Sequence, residues 1–348
     1  MNAPSDPSPR RVGLRAVAEA ASVSLMTASL AMRNSPRISA ATRKRVRDLA
    51  EKLGYRPDPE ISRLMGRLRP DRKTRGSVVI GMIDLHSGRR PQPHPYDAGV
   101  REGISTRADQ LGFGVTLFSL SDYNGSLKQL LRVVRHRGIE GVILLPSTEP
   151  VALDPALEWT GLSVVAATTT VTSPQFHQVI PNQLHNILAL IESVQRRGHR
   201  KIGALFNESL DRRTHHYYSI ALTWHGHRDR ILVLPDATPE KTASERIGAW
   251  LREHSPDVII GSDAMTHLLQ SQHLATRMTG EIEVVALTSR PGTSMSYLDQ
   301  RPAIIGECAV SLLTGMMHNH ETGIPADPQV TTIRGILREP AGKRAAKK

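Results

Sequence analysis

The chain is poor in several residue types, and each scarcity removes a class of function. One cysteine, Cys308, in 348 residues excludes an internal disulfide and fits a reducing compartment. Aromatic residues make up only 4%, and Tyr55 is the sole one in the first 76 residues. A basic segment so bare of stacking platforms is ill suited to single-stranded nucleic acid. No run nears the ~18 apolar residues of a membrane span, so no membrane partner is expected. The opening residues, rich in Pro and Ser, lack the apolar core of a signal peptide, so a cytoplasmic location is expected. Catalytic signatures are equally thin. Gly112 and Gly114 are a lone glycine pair, and neither a phosphate-binding loop nor a Gly-x-Ser-x-Gly elbow occurs. The pairs His215/His216, His225/His227 and His318/His320 match no zinc spacing. Neither cofactor, metal nor catalytic residue is therefore expected.

Positive charge is abundant but localised. The whole chain carries +12, yet residues 1–76 hold 17 Lys/Arg against 7 Asp/Glu, and residues 338–348 hold five against one. The intervening body is nearly neutral. A basic head on a neutral body indicates a polyanion partner rather than general solubilisation.

Three short helical patterns occupy that head. Leu14, Val17, Ala18 and Ala21 form one apolar stripe, and Ala28, Ala31 and Met32 another in a helix capped by Ser24. A third helix is predicted from Ser39, with Val46, Leu49, Ala50 and Leu53 inward, ending at Gly54. Two helices three or four residues apart, supported by a third, describe a helix-turn-helix. Its second helix would present Leu25, Met26, Ser29, Leu30 and Arg33 to the major groove. Ser24, Thr27, Ser29 and Asn34 would meet phosphate, and Arg33 either guanine or phosphate.

Three blocks, VGLRAVAEAASVSLMTASLAMRN at 12–34, ISAATR at 38–43 and LGYRP at 53–57, resemble the DNA-binding head of the lactose/galactose-repressor family. Their combination is far more specific than any one of them. Three residues depart from the pattern: Ser22 replaces the usual turn glycine, Ala28 the usual inward valine, and Leu30 a common base-contacting arginine. The resemblance implies a hinge helix over the segment after Pro57, with Leu64, supplemented by Met65, as a minor-groove wedge. Arg67, Arg69, Arg72, Lys73 and Arg75 then lead to the body and should add salt dependence.

Beyond the head, β-rich runs alternate with helical ones. Strands are predicted at 78–83, 114–119, 141–145 and 163–167, then at 202–206, 231–234, 257–260 and 283–287. Helices are predicted at 97–111, 127–136, 182–197, 213–225, 239–254 and 265–273, with a late one at 302–318. Two βαβ series predict an α/β body of two doubly wound parallel-sheet lobes, of the periplasmic-binding-protein kind. The expected divisions are a leader 1–11, head 12–57, hinge and basic linker 58–76, core 77–338 and basic tail 339–348. Within the core, lobe 1 is expected at about 77–178 plus 300–322, and lobe 2 at about 179–299 plus 323–338.

By resemblance, Arg213 and Asp263, the latter in the run Ile260-Gly-Ser-Asp263, would bind the hydroxyls of an effector, a sugar or sugar derivative, with Tyr217 as the aromatic that follows the arginine in the same site. His86, His94, Tyr96, Asp97 and Ser147 fall at strand ends of the first lobe and are candidates to line the same cleft. Ala286-Leu287-Thr288 departs from the family's Gly-Tyr/Phe-Asp. The reading is a non-enzymatic regulator, a repressor that binds a near-palindromic double-stranded operator as a homodimer and is switched by a carbohydrate. The alternative is a cytoplasmic sugar-binding receptor or enzyme that retains a DNA-binding head.

Overall fold

The computed structural model describes residues 13–32, 38–55, 78–86, 94–271, 282–288 and 295–339. Arg33, Asn34, Leu64 and Met65, and with them the hinge, lie outside the described residues. The chain divides into two compact units, one containing the N-terminal helices and the other both sheets.

The head has the expected helices: α1 (Leu14–Ala20), α2 (Leu25–Met32) and α3 (Ala40–Lys52). Ser24 caps α2 by accepting the Thr27 N–H at 3.0 Å, and Ser39 caps α3 through the Thr42 N–H. Each hydroxyl satisfies a backbone donor that the first helical turn leaves without a partner. The core consists of Val17, Ala18, Ala21, Ala28, Ala31, Val46 and Ala50. Five of these seven are alanines, so little apolar area is buried and each contact counts heavily. Leu53, expected inward, is exposed because it follows the last turn of α3, where Gly54 turns the chain at φ +67°.

The body's strands are continuous apolar runs, the pattern of sheets covered on both faces. One sheet contains β1 (Val79–Asp84), β2 (Gly114–Ser119), β3 (Gly141–Leu144), β5 (Ser163–Ala166), β7 (His177–Pro181) and β13 (Val330–Ile333). They lie in the order β13-β7-β5-β3-β1-β2, all parallel. The helices α4 (Pro95–Gln110) and α5 (Leu127–His136) belong to this lobe. A two-stranded ladder of β4 (Val151–Ala152) and β6 (Val171–Ser173) is a small addition.

The second sheet has β8 (Ile202–Asn207), β9 (Ile231–Leu234), β10 (Val258–Gly261), β11 (Glu283–Ala286), β12 (Ser296–Asp299) and β14 (Ile336–Arg338). Its order is β14-β12-β11-β10-β8-β9, with β14 antiparallel at the edge. One face is covered by α6 (Gln183–Arg196) and α8 (Tyr217–Trp224), the other by α9 (Glu240–His254) and α10 (Asp263–Ser271).

Two expected boundaries shift. The division at 178 falls inside β7, which pairs with β5 and β13 and so extends the first lobe. Residues 323–338 serve both lobes, because β13 closes one sheet and β14 the other. The helix expected over 213–225 begins later, as α8, and an unanticipated α7 (Glu208–Arg213) precedes it, with His215 and His216 between them at φ +51° and +58°. Two successive left-handed residues end one helix and re-aim the next.

The late helix, α11 (Pro302–Asn319), packs its first turns on α4 through glycine. A Cβ on Gly103 would stand 1.9 Å from the Ala303 carbonyl oxygen, and one on Gly306 2.2 Å from that of Val100. Backbone meets backbone at this crossing, which only residues without side chains permit.

Candidate functional site

The first candidate surface is the exposed face of α2. Leu25 and Met26 are 48% and 59% exposed, while Ala28 and Ala31 are fully buried on the opposite face. Thr27, Ser29 and Leu30 are half-buried. The helix thus offers two large apolar side chains at its N-terminus, flanked by the capping pair Ser24 and Thr27, whose hydroxyls are 2.9 Å apart. Such side chains contact thymine methyl groups, and the N-terminal N–H groups and hydroxyls suit phosphate. Ser22 is left-handed at φ +51°, as the missing turn glycine implied.

The second is a cavity of about 480 Å³ between the lobes. Tyr96 and Asp97 enter it from the first turn of α4, a start fixed by Pro95 and by the His94 ring, which accepts the Tyr96 N–H at 3.2 Å. Ser147, Thr148 and Thr168–Thr170 follow β3 and β5; Ser209 and Arg213 come from α7, and Ser262 and Asp263 from the start of α10. All are carried beyond the carboxyl ends of parallel strands, where open α/β sheets bind ligands.

Six residues anticipated from sequence line this cavity: His94, Tyr96, Asp97, Ser147, Arg213 and Asp263. His86 and Tyr217 do not. The His86 Nδ1–H donates to Asp84 at 2.7 Å while its Nε2 accepts the Thr148 N–H at 3.1 Å. It therefore fastens the loop that carries Ser147 and Thr148 from behind. Tyr217 stands after the left-handed break and is 40% exposed on the outer surface. Its neighbour Tyr218 takes the interior instead, donating its hydroxyl to Gln183, another cavity residue.

Electrostatics are compact here. Burial pushes the Tyr96 phenol far up, reinforced by Asp97 and opposed by Arg213, so it stays a neutral donor and acceptor. Arg213 spends its Nε on the Ser209 carbonyl at 3.3 Å, which orients the guanidinium. Asp263 accepts the Thr288 hydroxyl and lies 3.3 Å from His94 Nε2 across the cleft. Thr288 thus fills the departure noted in the sequence. A carboxylate there would face Asp263; a hydroxyl donates to it. The Ser262 hydroxyl, 4% exposed, has no hydrogen-bond partner among the described residues. A buried orphan hydroxyl on a cavity wall is satisfied by what fills the cavity.

Sequence reasoning missed Ser262, Thr168–Thr170, Asn207, Ser209, Thr288 and Gln300, small polar residues with no motif beyond following strands. The lobes are also joined by Arg212–Glu149 at 3.1 Å and by the Thr169 hydroxyl donating to the Arg213 carbonyl at 3.0 Å. A larger hollow of about 690 Å³ lies outside, between α5 and residues 154–158. It is a solvated helix face, with Arg135 already bound to Glu158 at 2.9 Å, and has no converging polar set.

Comparison with known proteins identifies both the head and the core. Residues 13–58 match the model of bacterial regulatory proteins of the lacI family. Residues 89–294, more than half of the chain, match that of the periplasmic binding proteins and sugar binding domain of the LacI family. The maltose regulon regulatory protein MalI of Escherichia coli (strain K12) is 25% identical over 317 residues, 87% of each chain. Catabolite control protein A of Priestia megaterium is 25% identical over 325 residues, covering 88% of this chain and 92% of that one. In fold, a lac repressor dimer bound to operator and the anti-inducer ONPF is similar, with a TM-score of 0.56, 17% identity, and coverage of 97% of this chain and 100% of that one. A CelR–cellobiose complex has a TM-score of 0.53 at 17% identity, covering 95% and 99%. These relatives are regulators, which sets the enzyme alternative aside. With a matching head and a matching core joined in one chain, this DNA-binding transcriptional regulator belongs to the LacI family.

Proposed function

We propose that the protein is a repressor that binds a near-palindromic operator as a homodimer and responds to a small carbohydrate held between its lobes. The observation that carries the reading is the convergence of Tyr96, Asp97, Arg213 and Asp263 from opposite lobes on one hydroxyl-lined cavity. A fork of donors facing carboxylate acceptors suits adjacent sugar hydroxyls. Arg213 and Asp263 hold the ligand; Ser147 and Ser262 complete its hydrogen bonds. MalI's role in a maltose regulon and the cellobiose complex of CelR favour a sugar.

At the DNA, Leu25 and Met26 read thymine methyl groups, Leu30 adds an apolar contact, and Ser24, Thr27 and Ser29 hold phosphate. Arg33 and Asn34 extend that contact, and Leu64 with Met65 forms the minor-groove wedge in a hinge over 58–76. Two heads are needed because one three-helix unit offers too little surface for tight specific binding. Genomic DNA selection with the purified chain, repeated against a panel of sugars, tests the reading. Recovery of near-palindromic sites, released or tightened by one sugar, is the expected result. No sequence preference, or no response to any sugar despite binding, overturns the corresponding half.

A further inference from the structure

Asp236 acts on the cavity without lining it. It lies two positions beyond β9, beside the end of β8, where Asn207 pairs with Leu234. Its Oδ1 accepts the Ser209 hydroxyl at 2.8 Å and an Asn207 amide N–H at 2.9 Å, and its Oδ2 accepts the Ser209 backbone N–H at 3.0 Å. The last of these is a helix cap supplied from a distance, since α7 has no side-chain cap of its own. The first two play no part in capping. They govern two side chains that line the cavity.

Three hydrogens on this wall are spoken for. An ionised carboxylate only accepts, so Asn207 must turn its NH2 and not its carbonyl toward Asp236. The second amide N–H goes to the Ser209 hydroxyl oxygen at 2.6 Å. With the single hydroxyl hydrogen of Ser209 also committed, what the pair has left for a ligand is the Asn207 Oδ1 and a Ser209 lone pair. The carboxylate stays ionised. Burial works to raise it, but the hydrogen bonds from Asn207 and Ser209 and the charge of Arg212, 3.7 Å away, hold it below the ordinary 3.8. Asp236 also steadies the cation of the site, because the Ser209 it fixes is the residue whose carbonyl receives Arg213 Nε at 3.3 Å.

The rest of the cavity leans the same way. Asp97 stands in the first turn of α4 and Asp263 opens α10, so the helix ends that elsewhere receive anions already hold carboxylates of this chain. Arg213 is the one permanently charged cation among the described lining residues. A phosphate monoester brings about 1.5 to 2 negative charges at pH 7 and acceptor oxygens, whereas a free sugar hydroxyl brings a hydrogen. We propose that Asp236 is a positioning residue that sets this wall of the cleft to accept, so that the effector is an uncharged sugar whose phosphate esters are refused. The proposal rests on the reading of the cleft as a carbohydrate site.

The full-length protein and Asp236→Asn are titrated calorimetrically with glucose, maltose and cellobiose and with a phosphate ester of each. The substitution keeps the shape and removes the charge. The new amide can donate to Asn207 Oδ1, which frees Asn207 to turn its N–H groups toward the ligand. The expected result is a free sugar that the wild type binds about 100-fold more tightly than its ester. In Asp236→Asn that ratio narrows about tenfold. A purely structural role would weaken both ligands alike; an unchanged ratio therefore overturns the proposal, and so does a wild type that binds an ester as tightly as its sugar. A second measurement needs no sugar. Isotopic labelling of the asparagines reads the Asn207 side-chain amide by magnetic resonance, identified by its loss in Asn207→Ser. Slow hydrogen exchange of both N–H groups in the wild type and fast exchange in Asp236→Asn are expected, and fast exchange in the wild type overturns the proposal. Binding of none of the six ligands removes the carbohydrate reading and with it the choice of effector, while the Asn207 exchange separately decides whether Asp236 sets the wall.

Discussion

His94 and Asp263 meet across the cleft, the imidazole Nε2 of one lobe 3.3 Å from the carboxylate of the other. The same carboxylate accepts the Thr288 hydroxyl, so three segments distant in sequence fix one acceptor. Truncating one partner of a charge-assisted hydrogen bond in such a place costs about 1.5–3 kcal/mol. Asp263→Ala should therefore weaken effector binding by roughly 10- to 100-fold, read by calorimetry, with non-specific DNA affinity unchanged. A loss of less than threefold would remove Asp263 from the ligand site.

Thr288→Asp is a sharper test of the same relationship. It restores the carboxylate of the wider family but sets it against Asp263, and like charges at that range resist joint ionisation. Effector affinity should fall and become more favourable at lower pH, where one carboxyl is protonated. A pH-independent affinity from 5 to 8 would contradict this account.

Ser22 holds a left-handed turn that an L-residue adopts at a cost of about 1 kcal/mol. Ser22→Gly should stabilise the alanine-rich head by about that amount. The readout is hydrogen exchange at the Val23 amide, which donates to the Ala18 carbonyl at 3.0 Å across the turn. Protection should rise about fivefold. Unchanged or lower protection would mean that the turn is not strained by its side chain.

At the α4–α11 crossing, Gly103→Ala forces a methyl group into the Ala303 backbone. Overpacking of this kind costs about 1–3 kcal/mol, and backbone gives way less readily than side chain. Thermal melting should drop by several degrees. Gly112→Ala is the contrast: a Cβ there meets nothing within 4 Å, and its cost comes from φ +79° alone.

Asp84 sets an acid limit on the first lobe. Burial works to raise its carboxyl, but the ring and backbone N–H of His86 and the Arg101 guanidinium hold it below the ordinary 3.8. A depressed folded value means that the stabilisation is complete above the unfolded value and disappears as pH falls through the folded one. Melting of the wild type should decline steeply below pH 4, and Asp84→Asn should be less stable at neutral pH with a flatter acid limb. Parallel curves for the two proteins would refute the assignment.

Much of this was visible in the order of residues. The head's helices and caps follow from Ser24, Ser39 and their apolar stripes, and the buried strands from runs such as Val258–Gly261. The edge strands β13 and β14 were not anticipated, because 3- or 4-residue exposed segments carry no period to read, and β12, between β14 and β11, is too short at four residues to show its alternation. The break at His215 and His216 lacked the glycine or proline that usually announces one. That hidden break decides which tyrosine enters the core, placing Tyr218 inside and Tyr217 on the surface. His86 was placed at the correct strand end, yet its side chain turns to Asp84 and Thr148, a choice set by tertiary neighbours alone. The hydroxyl lining was illegible for a simpler reason: serine and threonine after a strand are common in any loop.

The placement of β13 and β14 also bears on how this chain can be trimmed. Because a single short excursion near the C-terminus seals the rim of one sheet and then of the other, deleting everything beyond residue 329 would strip two borders in one cut. Newly bared ladders invite strand pairing between molecules, so such a shortened protein is expected to clump rather than merely soften.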